Sequence, residues 1–183
     1  MASQPAIGLL ELTSIARGIV AADAMAKRAP VRLLQSQTIC PGKYLILIGG
    51  DEDPVREAMD IGCHYAGPYL VDRLIIPYLH PQVIPALAAV QPLPALEAVG
   101  VIETFSVVAT VVAADAACKA ADVTLIEVRL GNGLGGKAYV TMSGDQHAVE
   151  ASLAAGVAAV ESGLVVRSEL IPAPHTDMAR VLL

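Results

Sequence analysis

The amino-acid sequence predicts an α+β protein built from two tandem ferredoxin-like domains. The first observation is that the chain repeats itself: AIGLLELTSIA at 6–16 is matched by AVGVIETFSVV at 98–108. The second is that VAADAMAK at 20–27 is matched by VAADAACK at 112–119. The third is that each copy follows the order β-α-β-β-α-β, which is typical of ferredoxin-like folds.

The first repeat divides into six elements. The apolar run AIGLLEL is a strand, and Ser14 is a suitable N-cap for the Ala-rich helix that Pro30 ends. A pair of strands joined by Pro41-Gly42 follows, then a helix with Pro54 near its first turn, then a last strand. The predicted bounds are strands at 6–12, 31–39, 43–50 and 70–77, and helices at 15–29 and 51–67.

A stretch rich in proline and poor in charge separates the two repeats. We therefore expect a first domain at 1–80, a linker at 81–97 with a short helix near 83–90, and a second domain at 98–183. The second domain repeats the six elements between Ala98 and Pro172. The tail PHTDMARVLL is expected to form a short docked helix.

Composition narrows the functional classes. The chain has 183 residues, of which 55% are hydrophobic and 16% charged, so burial against partner subunits is expected. A net charge of -6 without a basic patch argues against nucleic-acid binding. No stretch has the pattern of a membrane span or a signal peptide. Cys40, Cys63 and Cys118 are too scattered for a disulfide framework, so a reducing, cytoplasmic location is expected.

Several segments carry a family resemblance that covers almost the whole chain twice. The two strand-helix openings, the turns TICPGKY and LGGKAYV, the steps GGD and SGD, and the endings IPYLH and IPAPH resemble bacterial microcompartment shell domains. The order of elements is similar to that of the unpermuted tandem-domain subclass. Within it, TICPGK and the Gly-rich GNGLGGK most resemble the iron–sulfur shell proteins of propanediol-utilisation compartments.

The resemblance implies an assembly. Three chains would form a pseudohexameric disc that tiles with other shell proteins, and the turn between the second and third strands of each domain would line a central pore. In this sequence those turns run from Thr38 to Lys43 and from Leu130 to Lys137. The pore-lining residues implied are Thr38, Ile39, Cys40, Pro41, Gly42, Gly131, Asn132, Gly133, Leu134 and Gly135.

Cys40 is the candidate metal ligand. An iron–sulfur cluster is normally held by four thiolates, and the sequence has no CxxCxxC pattern from which one chain could supply them. The resemblance implies one [4Fe–4S] cluster per trimer, held by Cys40 of each chain, with a redox partner that the sequence does not identify. The alternative is that Cys40 is a small turn residue with a free thiol. Cys63 and Cys118 lie in predicted helices and are expected to be buried small residues.

The resemblance also implies a shell-edge role for five residues: Lys27, Lys119, Tyr78, His80 and His175. A lysine near a helix C-terminus is also favoured by the helix macrodipole, so an edge role is one of two interpretations of the lysines. The family often carries Arg after the final Ile-Pro, where this chain has Tyr78 and Ala173. The four histidines are not spaced as metal ligands, and Glu11 and Glu103 are expected to be structural or interface groups.

The Gly-rich turn at 131–136 superficially resembles a phosphate-binding loop. It joins two predicted strands and opens no helix, so a flexible pore turn is the better interpretation. The resemblance therefore implies a non-enzymatic shell component with an iron–sulfur pore. A clusterless pore for small metabolites and a ferredoxin-like regulatory module that binds a small ligand remain as alternatives.

Overall fold

The computed structural model describes residues 5–90, 96–180 and 182. Contacts divide the chain into two compact units, Met1–Leu79 and His80–Leu183. The elements of the first unit are β1 (Ala6–Leu12), α1 (Ile15–Arg28), β2 (Arg32–Ile39), β3 (Lys43–Gly50), α2 (Glu52–Ala66), a 3-10 turn (Gly67–Tyr69) and β4 (Leu70–Ile76).

The second unit repeats this series after one additional helix. Its elements are α3 (Val83–Leu87), β5 (Ala98–Thr104), α4 (Val107–Ala120), β6 (Thr124–Leu130), β7 (Ala138–Gly144), α5 (Gln146–Ala159), β8 (Val165–Ile171) and a 3-10 helix (Thr176–Arg180). The antiparallel sheets have the orders β2-β3-β1-β4 and β6-β7-β5-β8, so the strand order is the same in both repeats. The predicted α+β ferredoxin-like fold is confirmed.

The helices of the first unit pack on one face of its sheet. A strand alternates its side chains between two faces, and the even-numbered residues Leu10, Ile46 and Ile48 join the core with Met25 and Met59 of the helices. Ser14 caps α1 through its hydroxyl, which accepts a hydrogen bond from the Arg17 amide at 3.3 Å. Ser106 caps α4 in the same way. The helix start predicted at Ser14 is therefore correct, and the second repeat starts its helix at the aligned serine.

Irregularities in the sheets also recur at equivalent positions. The pairing of β1 with β4 shifts between Glu11 and Leu12, and that of β5 with β8 shifts between Glu103 and Thr104. The edge strands shift in the same way at Leu33 in β2 and at Leu125 in β6. Because bulges re-aim neighbouring side chains, the two repeats share local geometry as well as topology.

Two connecting segments differ from the sequence expectation. α3 is shorter than the predicted helix at 83–90 and packs against β6 and α4, so the described part of the predicted linker belongs to the second unit. Residues 91–95 of that linker lie outside the described residues. The tail forms the short 3-10 helix Thr176–Arg180, in which Met178 and Ala179 are half-buried and the other residues are exposed.

Gly18 on α1 lies where the helix crosses Tyr44 of β3. A Cβ atom at Gly18 would lie 2.4 Å from Tyr44 Cδ1 and 2.8 Å from Tyr44 Cβ. We expect Gly18→Ala to lower the free energy of unfolding by about 1–2 kcal/mol, because overpacking costs more than the gain in helix propensity. Urea unfolding at fixed protein concentration measures the loss. Gly50→Ala is the matched control, since its nearest neighbour would lie at 3.7 Å; equal losses would contradict the prediction.

Candidate functional site

The turn between β2 and β3 presents one thiol. Cys40 is half-buried with a free thiol, and the peptide bond to Pro41 is cis. Gly42 has φ +69, a conformation that favours glycine, and no atom lies within 4 Å of a Cβ built there. Among the predicted pore residues of this turn, Thr38, Pro41 and Gly42 are exposed, whereas Ile39 is buried in the core.

An ion pair ties this turn to the middle of the sheet. Lys43 opens β3 immediately after the turn, and its Nζ donates to Glu11 Oε1 on the neighbouring strand β1 at 2.6 Å. The Glu11 side chain is only 5% exposed and that of Lys43 is 28% exposed. A buried carboxylate requires a partner, so this pair holds the base of the Cys40 turn against a central strand.

The turn between β6 and β7 has a different character. Gly131, Gly133, Gly135 and Gly136 all have positive φ, and the Lys137 amide donates to the Leu134 carbonyl at 3.1 Å. Asn132, Gly133 and Gly135 are exposed, Leu134 is half-buried, and Gly131 is buried. No atom lies within 4 Å of a Cβ built at Gly133 or Gly135. The turn is an exposed, glycine-dependent loop between two strands, and it opens no helix.

The second turn carries the same kind of ion pair in a more exposed setting. Lys137 Nζ donates to Glu103 Oε1 at 2.9 Å, and the side chains are 43% and 35% exposed. Sequence reasoning placed Glu11 and Glu103 in structural roles but did not identify their lysine partners. The Gly-Lys step that ends both turns was the signal that could have revealed them.

The cysteines occupy different environments. Cys118 is buried, and burial raises the pKa of its thiol to about 12, with the Asp115 carboxylate acting in the same direction. Since metal ligation requires a thiolate, this environment disfavours Cys118 as a ligand. Cys63 is half-buried on α2, with its Sγ 4.0 Å from Arg73 Nη1. Across residues 5–90, 96–180 and 182, no group of three or more His, Cys, Asp or Glu is arranged to hold a metal ion.

The two predicted edge lysines form equivalent helix pairs. Lys27 Nζ donates to Asp23 Oδ2 at 2.6 Å, and Lys119 Nζ donates to Asp115 Oδ2 at 2.6 Å. The exposures differ, because Asp23 is 61% exposed and Asp115 only 11%. In the second unit the remaining oxygen, Asp115 Oδ1, accepts a hydrogen bond from the His80 backbone amide at 2.8 Å.

The other predicted edge residues lie after the last strand of each repeat. Tyr78 is 63% exposed, the His80 residue is half-buried, and the His175 side chain is 75% exposed. None of the helices in the described part of the chain combines the length and hydrophobicity that a membrane span requires.

The two ion pairs predict unequal costs of disruption. We expect Lys43→Met to lower the free energy of unfolding by about 2 kcal/mol, because it leaves the buried Glu11 without its partner. Lys137→Met should cost about 0–1 kcal/mol, because Glu103 can be solvated. Urea unfolding measures both losses. Adding Glu11→Gln to Lys43→Met should restore part of the stability, and the absence of any recovery would count against a charge effect.

Sequence comparison relates this chain to one protein family and to individual members of it. The BMC domain family matches residues 6–79 and 98–174. The chain is 47% identical over 179 residues to the bacterial microcompartment shell protein PduT of Citrobacter freundii, covering 97% of each protein. It is 36% identical over 86 residues to the carboxysome shell protein CsoS1C of Hydrogenovibrio crunogenus, covering 45% of this chain and 84% of that protein.

A solved structure gives the same answer. The crystal structure of a microcompartment protein from Desulfitobacterium hafniense DCB superposes with a TM-score of 0.92 at 47% identity, covering 97% of this chain and 99% of that chain. The chain therefore belongs to the bacterial microcompartment shell proteins, as a member with two BMC domains in tandem.

Proposed function

We propose that three copies of this chain form a pseudohexameric shell tile whose central pore is lined by the β2–β3 and β6–β7 turns. Each turn joins the second and third strands of its repeat, so six equivalent turns would surround the axis of a trimer. The apolar residues Ile15 and Ile19 on α1 are 41% and 55% exposed, which favours burial against another subunit. The role is structural, with passage through the pore as the selective step.

The Cys40 thiol is the observation that carries the finer proposal. One half-exposed free thiol per chain in the first turn becomes three thiols around one axis in a trimer. That donor set fits a [4Fe–4S] cluster with three protein thiolates and one iron open to an outside ligand. Such a cluster supplies one-electron transfer. The chain holds the turn through the Lys43–Glu11 pair, and Cys40 of each subunit would serve as the ligand.

The second candidate is a clusterless pore that passes small metabolites. The glycine-rich turn favours it, because Gly133 and Gly135 expose backbone amides and carbonyls without side chains around them. Backbone groups of this kind can hydrogen-bond polar solutes.

Cys40→Ser tests the cluster. After anaerobic reconstitution with iron and sulfide, we expect the wild-type trimer to show visible absorption and an EPR signal on reduction, and Cys40→Ser to lose both, because the turn then lacks its thiolates. Cys63→Ser is the matched control and should retain both signals. Persistence of the signals in Cys40→Ser, or their absence from the wild type, would leave the metabolite pore as the better account.

The helix lysines test the tile. In electron micrographs we expect the wild-type protein to form flat sheets, and Lys27→Gln and Lys119→Gln to reduce sheet formation while sedimentation still shows a trimer. The reason is that charged groups at the rim would contribute contacts between discs. Arg56→Gln, on α2, removes a charge of the same sign and should leave sheets unchanged. Dissociation of the trimer by the lysine variants would show that they lie at a different interface.

A further inference from the structure

The segments that follow the last strand of each repeat have the same local structure. After β4, His80 Nδ1 accepts from the Gln82 amide at 3.5 Å and the His80 carbonyl accepts from the Val83 amide at 3.1 Å. After β8, His175 Nδ1 accepts from the Asp177 amide at 3.2 Å and the His175 carbonyl accepts from Met178 at 2.9 Å. The two segments thus share one turn, which is followed by the α-helix α3 after β4 and by a 3-10 helix after β8.

The first of these segments is docked on the helix and edge strand of the second repeat. The His80 amide donates to Asp115 Oδ1 on α4 at 2.8 Å. The side-chain amide of Gln82 donates to the Val123 carbonyl at 2.9 Å and accepts from the Leu125 amide at 2.8 Å at the edge of β6. Val83 and Ala86 of α3 are fully buried.

The equivalent surface of the first repeat is exposed. Asp23, Ile19 and Leu33 are the counterparts of Asp115, Val111 and Leu125. Ile19 and Leu33 are 55% and 44% exposed, whereas Val111 and Leu125 are both 0% exposed. Asp23 is paired with Lys27 through Oδ2 alone, and within the described residues its Oδ1 has no protein partner.

The segment that would match this surface is largely exposed. The 3-10 helix Thr176–Arg180 buries none of its residues, Met178 and Ala179 are half-buried, and the His175 side chain is 75% exposed. The same chain therefore carries a surface on α1 and β2 that no segment covers and a C-terminal segment that covers no equivalent surface. In a head-to-tail ring the segment that follows each repeat lies on the next repeat. The C-terminal segment of one chain would then cover the exposed surface of its neighbour.

We propose that residues His175–Arg180 of one chain dock on α1 and β2 of a neighbouring copy, as His80–Leu87 docks on α4 and β6. The His175 amide donates to Asp23 Oδ1 of the neighbour, and Met178 occupies the position that Val83 fills in the second repeat. This contact rests on the proposed trimer, in which it recurs three times. Each chain contributes the segment to one neighbour and the receptor surface to the other.

Asp177 of the C-terminal segment differs from its counterpart Gln82, and this difference provides a variant expected to strengthen the contact. Asp177 stands where the docked copy has Gln82, whose amide makes two hydrogen bonds with the edge strand. A carboxylate can accept from the Leu33 amide but cannot donate to the Val31 carbonyl. Asp177→Gln restores the missing donor, so it should strengthen the contact, which a merely damaging variant would not do.

The experiment measures the dissociation constant of the trimer by sedimentation at several concentrations. We expect Asp23→Ala and Leu33→Ser to raise it about tenfold, and Asp177→Gln to lower it about fivefold, because each change removes or adds one contact per junction. Glu161→Ala, an exposed acid in a loop of the second unit, is the control and should have no effect. Asp23 and Leu33 are exposed in the chain, so neither substitution should disturb its fold.

Hydrogen exchange provides a second readout. The His175 amide should exchange at least tenfold more slowly in the trimer than in dilute dissociated chains, whereas the His80 amide should stay protected at both concentrations. A wild-type trimer whose dissociation none of the variants alters would refute the docking and leave the shell tile intact. A wild-type chain that remains monomeric would refute the tile. A His175 amide protected in that monomer would show docking on its own chain, which would also overturn the proposed contact.

Discussion

The organisation of this protein depends on one physical constraint: the first repeat leaves an apolar stripe on α1 that its own sheet does not bury. In the second repeat Val107 and Val111 are almost fully buried, whereas the equivalent Ile15 and Ile19 of the first repeat are about half exposed. Exposing such a stripe to water is unfavourable, so the chain gains free energy whenever another segment covers it. The closed head-to-tail trimer proposed above would cover this stripe in every chain with the same set of contacts.

The same constraint explains why duplicated residues have different environments. Asp23 and Asp115 occupy the same helix position and pair with equivalent lysines. Only Asp115 also accepts the His80 amide, and only Asp115 is buried. Gene duplication therefore supplies an internal reference, since the contact made by Asp115 in the second repeat is the basis for the docking proposed at Asp23 in the first.

The two turns show how equal topology can serve unequal roles. Both are anchored by a lysine that reaches a glutamate on the central strand, but Glu11 is buried and Glu103 is solvated. The Cys40 turn consequently rests on a pair that is costly to break, which suits the ligand role proposed for Cys40. The glycine-rich turn rests on a pair that water can replace, and its backbone conformation depends on residues with positive φ.

Most of the fold was accessible from the sequence, because repeats, hydrophobic periodicity and capping residues are local signals. The order of the six elements and the cap Ser14 follow from residue patterns within a few turns, and the duplication follows from comparing the two halves of the chain. Resemblance to the family added the candidate roles of Cys40 and the helix lysines. The sequence indicated a short helix in the tail but not the surface it would dock on, because docking depends on residues that are distant along the chain.

What the tertiary structure alone decided is which of two equivalent groups is buried and paired. The sequence by itself determined that Glu11 and Glu103, or Asp23 and Asp115, are repeated pairs. It could not reveal that Lys43 neutralises a buried carboxylate, or that the His80 amide meets Asp115, because these contacts join residues more than thirty positions apart. Burial and pairing depend on the environment of a residue in the folded protein, and identical residues at equivalent positions of two repeats carry no information about them.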